Sequence, residues 1–110
     1  MRALPPAAFH ILLAVADCER HGYAIMQDVR ARTGGRIRIG PGTLYGSIKR
    51  LLNDGLIEEL DERPDPGRDD VRRRYYRITR LGRKAAMEES ARLAALLRHA
   101  RALGFVPKTS

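Results

Sequence analysis

Apolar residues recur at helical spacing in four stretches of the chain, with polar residues and glycines between them. Phe9, Leu12, Leu13 and Ala16 share one face of a 3.6-residue repeat, predicting a first helix that opens near Pro5 or Pro6, where proline is tolerated, and runs to about Cys18. Just after His21-Gly22, Ile25, Met26 and Val29 mark a second helix that Thr33-Gly34-Gly35 stops. Its other side carries Gln27, Asp28, Arg30 and Arg32. Arg36-Ile37-Arg38-Ile39 alternates strictly, the pattern of a short strand with one basic, wet face. Gly40-Pro41 then opens a third helix, running to about Asp54, in which Leu44, Ile48, Leu51 and Leu52 form a core-facing stripe. Thr43, Gly46, Ser47, Lys49, Arg50 and Asn53 are left on the other side, and Gly55 is the expected C-cap.

Leu56–Leu60 and Arg73–Thr79 read as two strands of a hairpin whose long charged tip, Asp61–Arg72, contains Pro64, Pro66 and Gly67. Thr79 is a suitable N-cap for a final helix through Arg80 to Leu103, ended by Gly104 and Pro107. Within it Leu93, Leu96, Ala100 and Leu103 repeat as a coiled-coil seam does. The order helix, helix, short strand, helix, hairpin predicts a mostly α fold with a small β-hairpin: a winged helix-turn-helix. Residues 1–79 would form the DNA-binding part and residues 80–110 a dimerisation helix and tail, in one continuous small domain. A last helix too long for one small head to cover would expose an apolar stripe unless a second copy covers it.

Composition sharpens this picture. One core is all that 110 residues support, and 21 Lys and Arg against 13 Asp and Glu make polyanions the natural partners. The excess is local. Val71–Lys84 holds Arg72, Arg73, Arg74, Arg77, Arg80, Arg83 and Lys84 with no acid, whereas the first 35 residues are nearly balanced. The apolar run Ala3–Ala16 is too short for a membrane span. Arg2, that run and Ala14-Val15-Ala16 loosely resemble a secretory signal, but the helical spacing favours a core helix. Cys18 is the lone cysteine, expected to be a small buried hydrophobe, in keeping with a reducing cytoplasm. His10, His21 and His99 lie on separate elements without metal-ligand spacing. No nucleotide-binding loop, His-Glu-x-x-His or nucleophile-and-base pattern is present, so neither an enzyme nor a cofactor is expected.

Four blocks carry a resemblance: His21-Gly22-Tyr23-Ala24-Ile25; Gly40-Pro41-Gly42-Thr43-Leu44-Tyr45; Leu51-Leu52-Asn53-Asp54-Gly55-Leu56-Ile57; and Tyr75-Tyr76-Arg77-Ile78-Thr79 with Gly82-Arg83. In this order and spacing the chain resembles the PadR family of transcriptional regulators, in its short form with a single C-terminal helix. The resemblance implies a homodimer joined through the first and last helices, binding to a palindromic operator on double-stranded DNA, and repression relieved by a small effector. The dimer residues would be Phe9, Leu12, Leu13, Leu93, Leu96, Leu97, Ala100 and Leu103. Family members hold aromatic molecules between those helices; the absence of tryptophan and the short tail argue against such a pocket here.

Tyr45 corresponds to the family's DNA-facing tyrosine, and Ser47, Lys49 and Arg50 to the exposed face of the reading helix. Thr43 either bonds DNA or caps the helix. Arg72, Arg73 and Arg74 are candidate phosphate contacts, though strand alternation sends them to both faces. Arg68 at the hairpin tip is the minor-groove candidate, with Asp69 and Asp70 opposing it electrostatically. Tyr23 opens the second helix, whose amides suit a phosphate, while His21 reads as a local cap or a solvated residue. Arg36 and Arg38 add backbone contacts or pair with Glu58 and Glu59, the pairing being preferred for one of them. Most charge thus lies in the wing, which would supply affinity while the helix supplies specificity. Two rival readings remain: a basic RNA-binding module, disfavoured by the lack of stacking aromatics, and a protein-interaction adaptor.

Overall fold

The computed structural model describes residues 3–60, 63–65 and 68–107. Along them run α1 (Pro6–Ala14), β1 (Arg20–His21), α2 (Gly22–Arg32), α3 (Pro41–Asn53), β2 (Ile57–Glu59), β3 (Arg63–Asp65), β4 (Arg68–Arg73), β5 (Tyr75–Ile78) and α4 (Arg80–Ala102). The two apolar stripes read for α2 and α3 meet α1 in one core. Ile11 and Leu12 of α1, Ile25 and Val29 of α2, and Leu44, Ile48 and Leu51 of α3 are all buried, and Tyr76, Ile78 and Ala85 close it from the wing and α4. Each fully buried aliphatic side chain stabilises the fold by roughly 1.5–3 kcal/mol, so this cluster holds the helix-turn-helix rigid.

The expected stops hold. α2, α3 and α4 each end in a glycine at positive φ, Gly34, Gly55 and Gly104. At each end the following residue's amide reaches back to a carbonyl five residues earlier: Gly35 to Arg30, Leu56 to Leu51 and Phe105 to Ala100. Thr79 caps α4 as expected, its hydroxyl accepting from the Gly82 amide and donating to the Gly55 carbonyl, which ties the end of α3 to the start of α4. Gly82 is required there for a second reason: a Cβ would stand 2.0 Å from the Leu56 carbonyl oxygen.

Other expectations are corrected. Residues 36–39 form no strand; Ile39 is buried and Ile37 exposed, so the alternation marks one anchor in a loop. The third strand of the sheet is instead β1. In the order β1-β5-β2, all antiparallel, Arg20 faces Tyr76 and Ile57 faces Ile78, leaving β5 no free edge for residues 36–39 to join. The strand expected over 73–79 breaks at Arg74, and the expected hairpin tip carries its own ribbon, β3 against β4, with a register irregularity between Pro64 and Asp65. Helix α1 ends at Ala14 rather than near Cys18. Arginines from outside it satisfy the carbonyls there, Arg20 Nε on Ala14 at 2.6 Å and Arg83 Nη2 on Ala16 at 3.0 Å, where cations also favour the helix dipole. Cys18 lies beyond that end and is exposed, not buried.

Candidate nucleic-acid interface

Helix α3 presents its polar residues on three sides rather than one face. At 100° per residue, Leu44, Ile48 and Leu51 point inward, while Gly42, Gly46, Lys49 and Asn53 point outward. Thr43, Ser47 and Arg50 occupy one flank and line a shallow recess with Pro5 and Ala8 at the start of α1. Tyr45 occupies the other flank, over the start of α2. It is 52% exposed, yet a Cβ on Gly22 would fall 2.7 Å from its hydroxyl, so ring and glycine are in close contact. Gly42 and Gly46 have nothing within 4 Å of where a Cβ would stand, so a groove wall can approach the helix backbone there. Thr43 does not cap the helix: Gly40 holds that position without a side-chain hydrogen bond, and Thr43 is exposed.

The wing is fastened to this surface by an aromatic cluster. His21 caps α2, its Nδ1 accepting from the Ala24 amide at 3.2 Å, and its ring meets Tyr75 of β5 edge-on at 5.3 Å. The Arg73 guanidinium lies over the Tyr23 ring, 5.7 Å from its centroid. Tyr76 is buried behind them. Burial first, and Glu59 and Tyr45 beside it, raise its hydroxyl above the ordinary tyrosine value despite Arg74, so it stays neutral.

Much of the wing's charge is already engaged. Arg74 pairs with Glu59 at 3.3 Å, and Arg77 pairs with Glu58 and, at 3.9 Å, with Glu19. The acids expected to meet Arg36 or Arg38 are therefore taken from within the sheet, because β5 and not residues 36–39 lies beside β2. Arg68 and Arg72 fall in β4, and their side chains lie outside the described part of the structure. Among the described residues Arg30, Arg36, Arg38, Lys49 and Arg50 make no ion pair. Nothing in a residue-by-residue reading distinguishes a free arginine from an engaged one; acidic residues opposite in the sheet make that difference, and the pairing with β5 is what places them.

The residues expected at a dimer interface separate likewise. Leu12 is 0% exposed and belongs to the chain's own core, a correction to its expected place in an interface. Phe9 and Leu13 are half-buried beside it. Leu93, Leu96, Leu97 and Leu103 are exposed along α4, with Ala100 half-buried among them. No helix among the described residues is long and apolar enough to cross a membrane, and those residues contain no cluster of three metal-ligating side chains. One apolar cavity of about 330 Å³ lies within the protomer, between Leu4 and Ala8, the end of α3 with Arg50, Leu51 and Asp54, and Leu81 and Ala85 of α4.

A helix-turn-helix with a β-ribbon beside its third helix and that helix's outer face uncovered is the architecture of winged-helix DNA-binding transcriptional regulators. The sequence model of the "Transcriptional regulator PadR-like family" matches residues 11–88, and the chain belongs to that family. It is 41% identical over 100 residues to Transcriptional regulator Rv3488 of Mycobacterium tuberculosis, spanning 89% of this chain and 87% of that one. A PadR family regulator from Clostridium difficile shares the fold with a TM-score of 0.75 at 19% identity, over 90% of this chain and 98% of that one. The Bacillus subtilis PadR, solved in complex with operator DNA, shares it at 0.63 and 18% identity over 74% of this chain and 44% of that one.

Proposed function

We propose that the chain is a sequence-specific, homodimeric repressor that places α3 in the major groove of a palindromic operator and acts in the cytoplasm. The observation that carries this reading is the contrast across α3: Leu44, Ile48 and Leu51 are buried, while Gly42, Thr43, Tyr45, Gly46, Lys49 and Arg50 are exposed. The operator complex of the Bacillus subtilis PadR supports it by fold. In this reading Tyr45, Ser47, Lys49 and Thr43 contact bases or nearby phosphates, Tyr23 and Arg73 hold the wing alongside, and Arg68 and Arg72 of β4 add contacts to the minor groove and phosphates. The exposed leucines of α4 join two copies, which sets two α3 helices on one face of the duplex.

A small apolar or aromatic effector fits the cavity under the end of α3 better than a pocket between copies, because Arg50 stands on its rim and on the DNA-facing flank alike. A ligand that holds Arg50 would withdraw it from the duplex and relieve repression.

The test is selection from a random duplex library, followed by a salt series on the enriched sequence. We expect an inverted repeat and a fall in affinity of about 10³- to 10⁵-fold between 50 and 200 mM salt, for 6–10 phosphate contacts. A flat salt response, or equal affinity for an RNA hairpin, overturns the reading.

A further inference from the structure

We propose that Arg30, Arg36 and Arg38, around the connection from α2 to α3, form a phosphate clamp on the DNA backbone, and that this clamp supplies more of the salt-dependent affinity than the base of the wing. The inference rests on the DNA-binding reading above and adds a contact surface to it.

The segment from Val29 to Asn53 contains six basic residues, Arg30, Arg32, Arg36, Arg38, Lys49 and Arg50, and no acid. An ordinary solvated surface intersperses the two signs. The carboxylates just ahead of the segment are engaged elsewhere: Asp28 holds Arg32 at 2.6 Å and Arg20 at 3.4 Å, and Asp17 holds the same two arginines. Only Arg32 of the six is neutralised by this network. Arg30, Arg36 and Arg38 are exposed and make no ion pair among the described residues, so their charge is available to a polyanion. The wing base differs, since Arg74 and Arg77 are held by Glu59, Glu58 and Glu19, and Arg73 by the Tyr23 ring.

Geometry brings two of the three together, and Arg36 lies between them in sequence, exposed. Arg30 and Arg38 line a single open concavity with Gln27, Ala31, Gly34 and Gly35. Both glycines are in the left-handed region, φ +61° and +82°, with nothing within 4 Å of a would-be Cβ, so a bulky anion can approach the backbone between the guanidiniums. Ile39, buried, anchors the connection just before α3. Arg38 is three residues from Pro41, at most about 11 Å of chain, and the rails border a groove about 12 Å wide. A chain that enters the groove at Pro41 therefore crosses a rail with Arg38 beside it. Guanidinium groups suit this role because they bind phosphate oxygens bidentately.

The experiment compares the full chain with the triple variant Arg30→Ala, Arg36→Ala, Arg38→Ala and with the double variant Arg74→Ala, Arg77→Ala. Each is titrated by fluorescence anisotropy against one mixed-sequence duplex of about three helical turns over a salt series. Every phosphate left unpaired lowers the slope of log affinity against log salt by about 0.9, so the triple variant should shed about 2 to 3 from the slope and bind tens- to hundreds-fold more weakly at low salt. The double variant should change the slope by less than one such step. The triple lysine variant, which keeps the charge, should retain the wild-type slope, and unchanged circular dichroism controls for folding. A triple alanine variant with the wild-type slope, while the unaltered chain binds, overturns the clamp alone. An unaltered chain that fails to bind any duplex overturns the functional reading itself and the clamp with it.

Discussion

Among the described residues Glu89 is the buried charged one, 6% exposed on the inner face of α4. A buried carboxylate is tolerated only when its oxygens are satisfied, and here they are. Arg92 donates from Nε and Nη2, and the Leu4 amide donates at 3.3 Å, so Glu89 pins the segment ahead of α1 against α4. The Arg92 hydrogen bonds first, then the Leu4 amide and the Arg92 charge, outweigh burial and hold the carboxyl below its usual range. A folded-state pKa depressed in this way stabilises the fold above the unfolded glutamate value of about 4.3, and that contribution is lost as pH falls through the folded value. Glu89→Gln should therefore be less stable than the natural chain by a constant margin at neutral pH, with the two converging below about pH 4. Urea denaturation at stepped pH measures it. A margin that widens in acid would mean the carboxyl is raised, not lowered.

At the scale of elements, the interface is set by how α2 meets α3, and Gly22 is the tightest point of that meeting. An alanine there would bring Cβ to 2.7 Å from the Tyr45 hydroxyl and 3.3 Å from Leu44 Cδ2. The 2.7 Å clash with the tyrosine is the severe one and is relieved only by moving the ring, whereas the 3.3 Å approach to buried Leu44 is little tighter than an ordinary contact. Gly22→Ala should cost about 1–2 kcal/mol and weaken operator binding by displacing Tyr45. In a Tyr45→Ala background most of that cost should vanish, because alanine favours a helix by up to about 1 kcal/mol over glycine. Equal costs in both backgrounds would show that Tyr45 is not the obstacle. Such a contact is invisible in sequence, as is the two-residue strand β1, which is too short for any periodicity to reveal. The long elements were legible because Leu44, Ile48 and Leu51, or Ile25 and Val29, fall on one face at helical spacing and are followed by glycines with one conformational use. Alternation misled at Arg36–Ile39 because a strand also needs a partner edge, which depends on the whole sheet. For the candidate site, the exposure of Lys49 follows from helical phase and attention to Tyr45 from the family resemblance, but which arginines are engaged depends on where Glu58 and Glu59 point.

On the scale of the whole molecule, the length of α4 is what the proposed dimer rests on. Its 23 residues extend about 35 Å, in a molecule 54 Å along its longest axis. Gly82, Ala85 and Glu89 are buried on the head, and the same face continues through Leu93, Leu96, Ala100 and Leu103, where no residue of the helix is fully buried. In the proposed dimer this continuous apolar face, half covered by its own head, would form half of the interface, and a two-fold axis would cover the remainder with an identical stripe. Leu96, 59% exposed, lies in mid-stripe, so in such a dimer each substitution enters the interface twice. Leu96→Glu should then yield a monomer in sedimentation at micromolar concentration, with the head still folded. Arg98→Glu, on the opposite side of the helix, should leave the dimer intact. Separate heads also lose their mutual tethering, which is worth about 10²- to 10⁴-fold in affinity for a two-part site, so Leu96→Glu should weaken binding to an inverted repeat far more than to a single half-site. If both DNAs lose affinity equally, the heads act independently and α4 serves another partner.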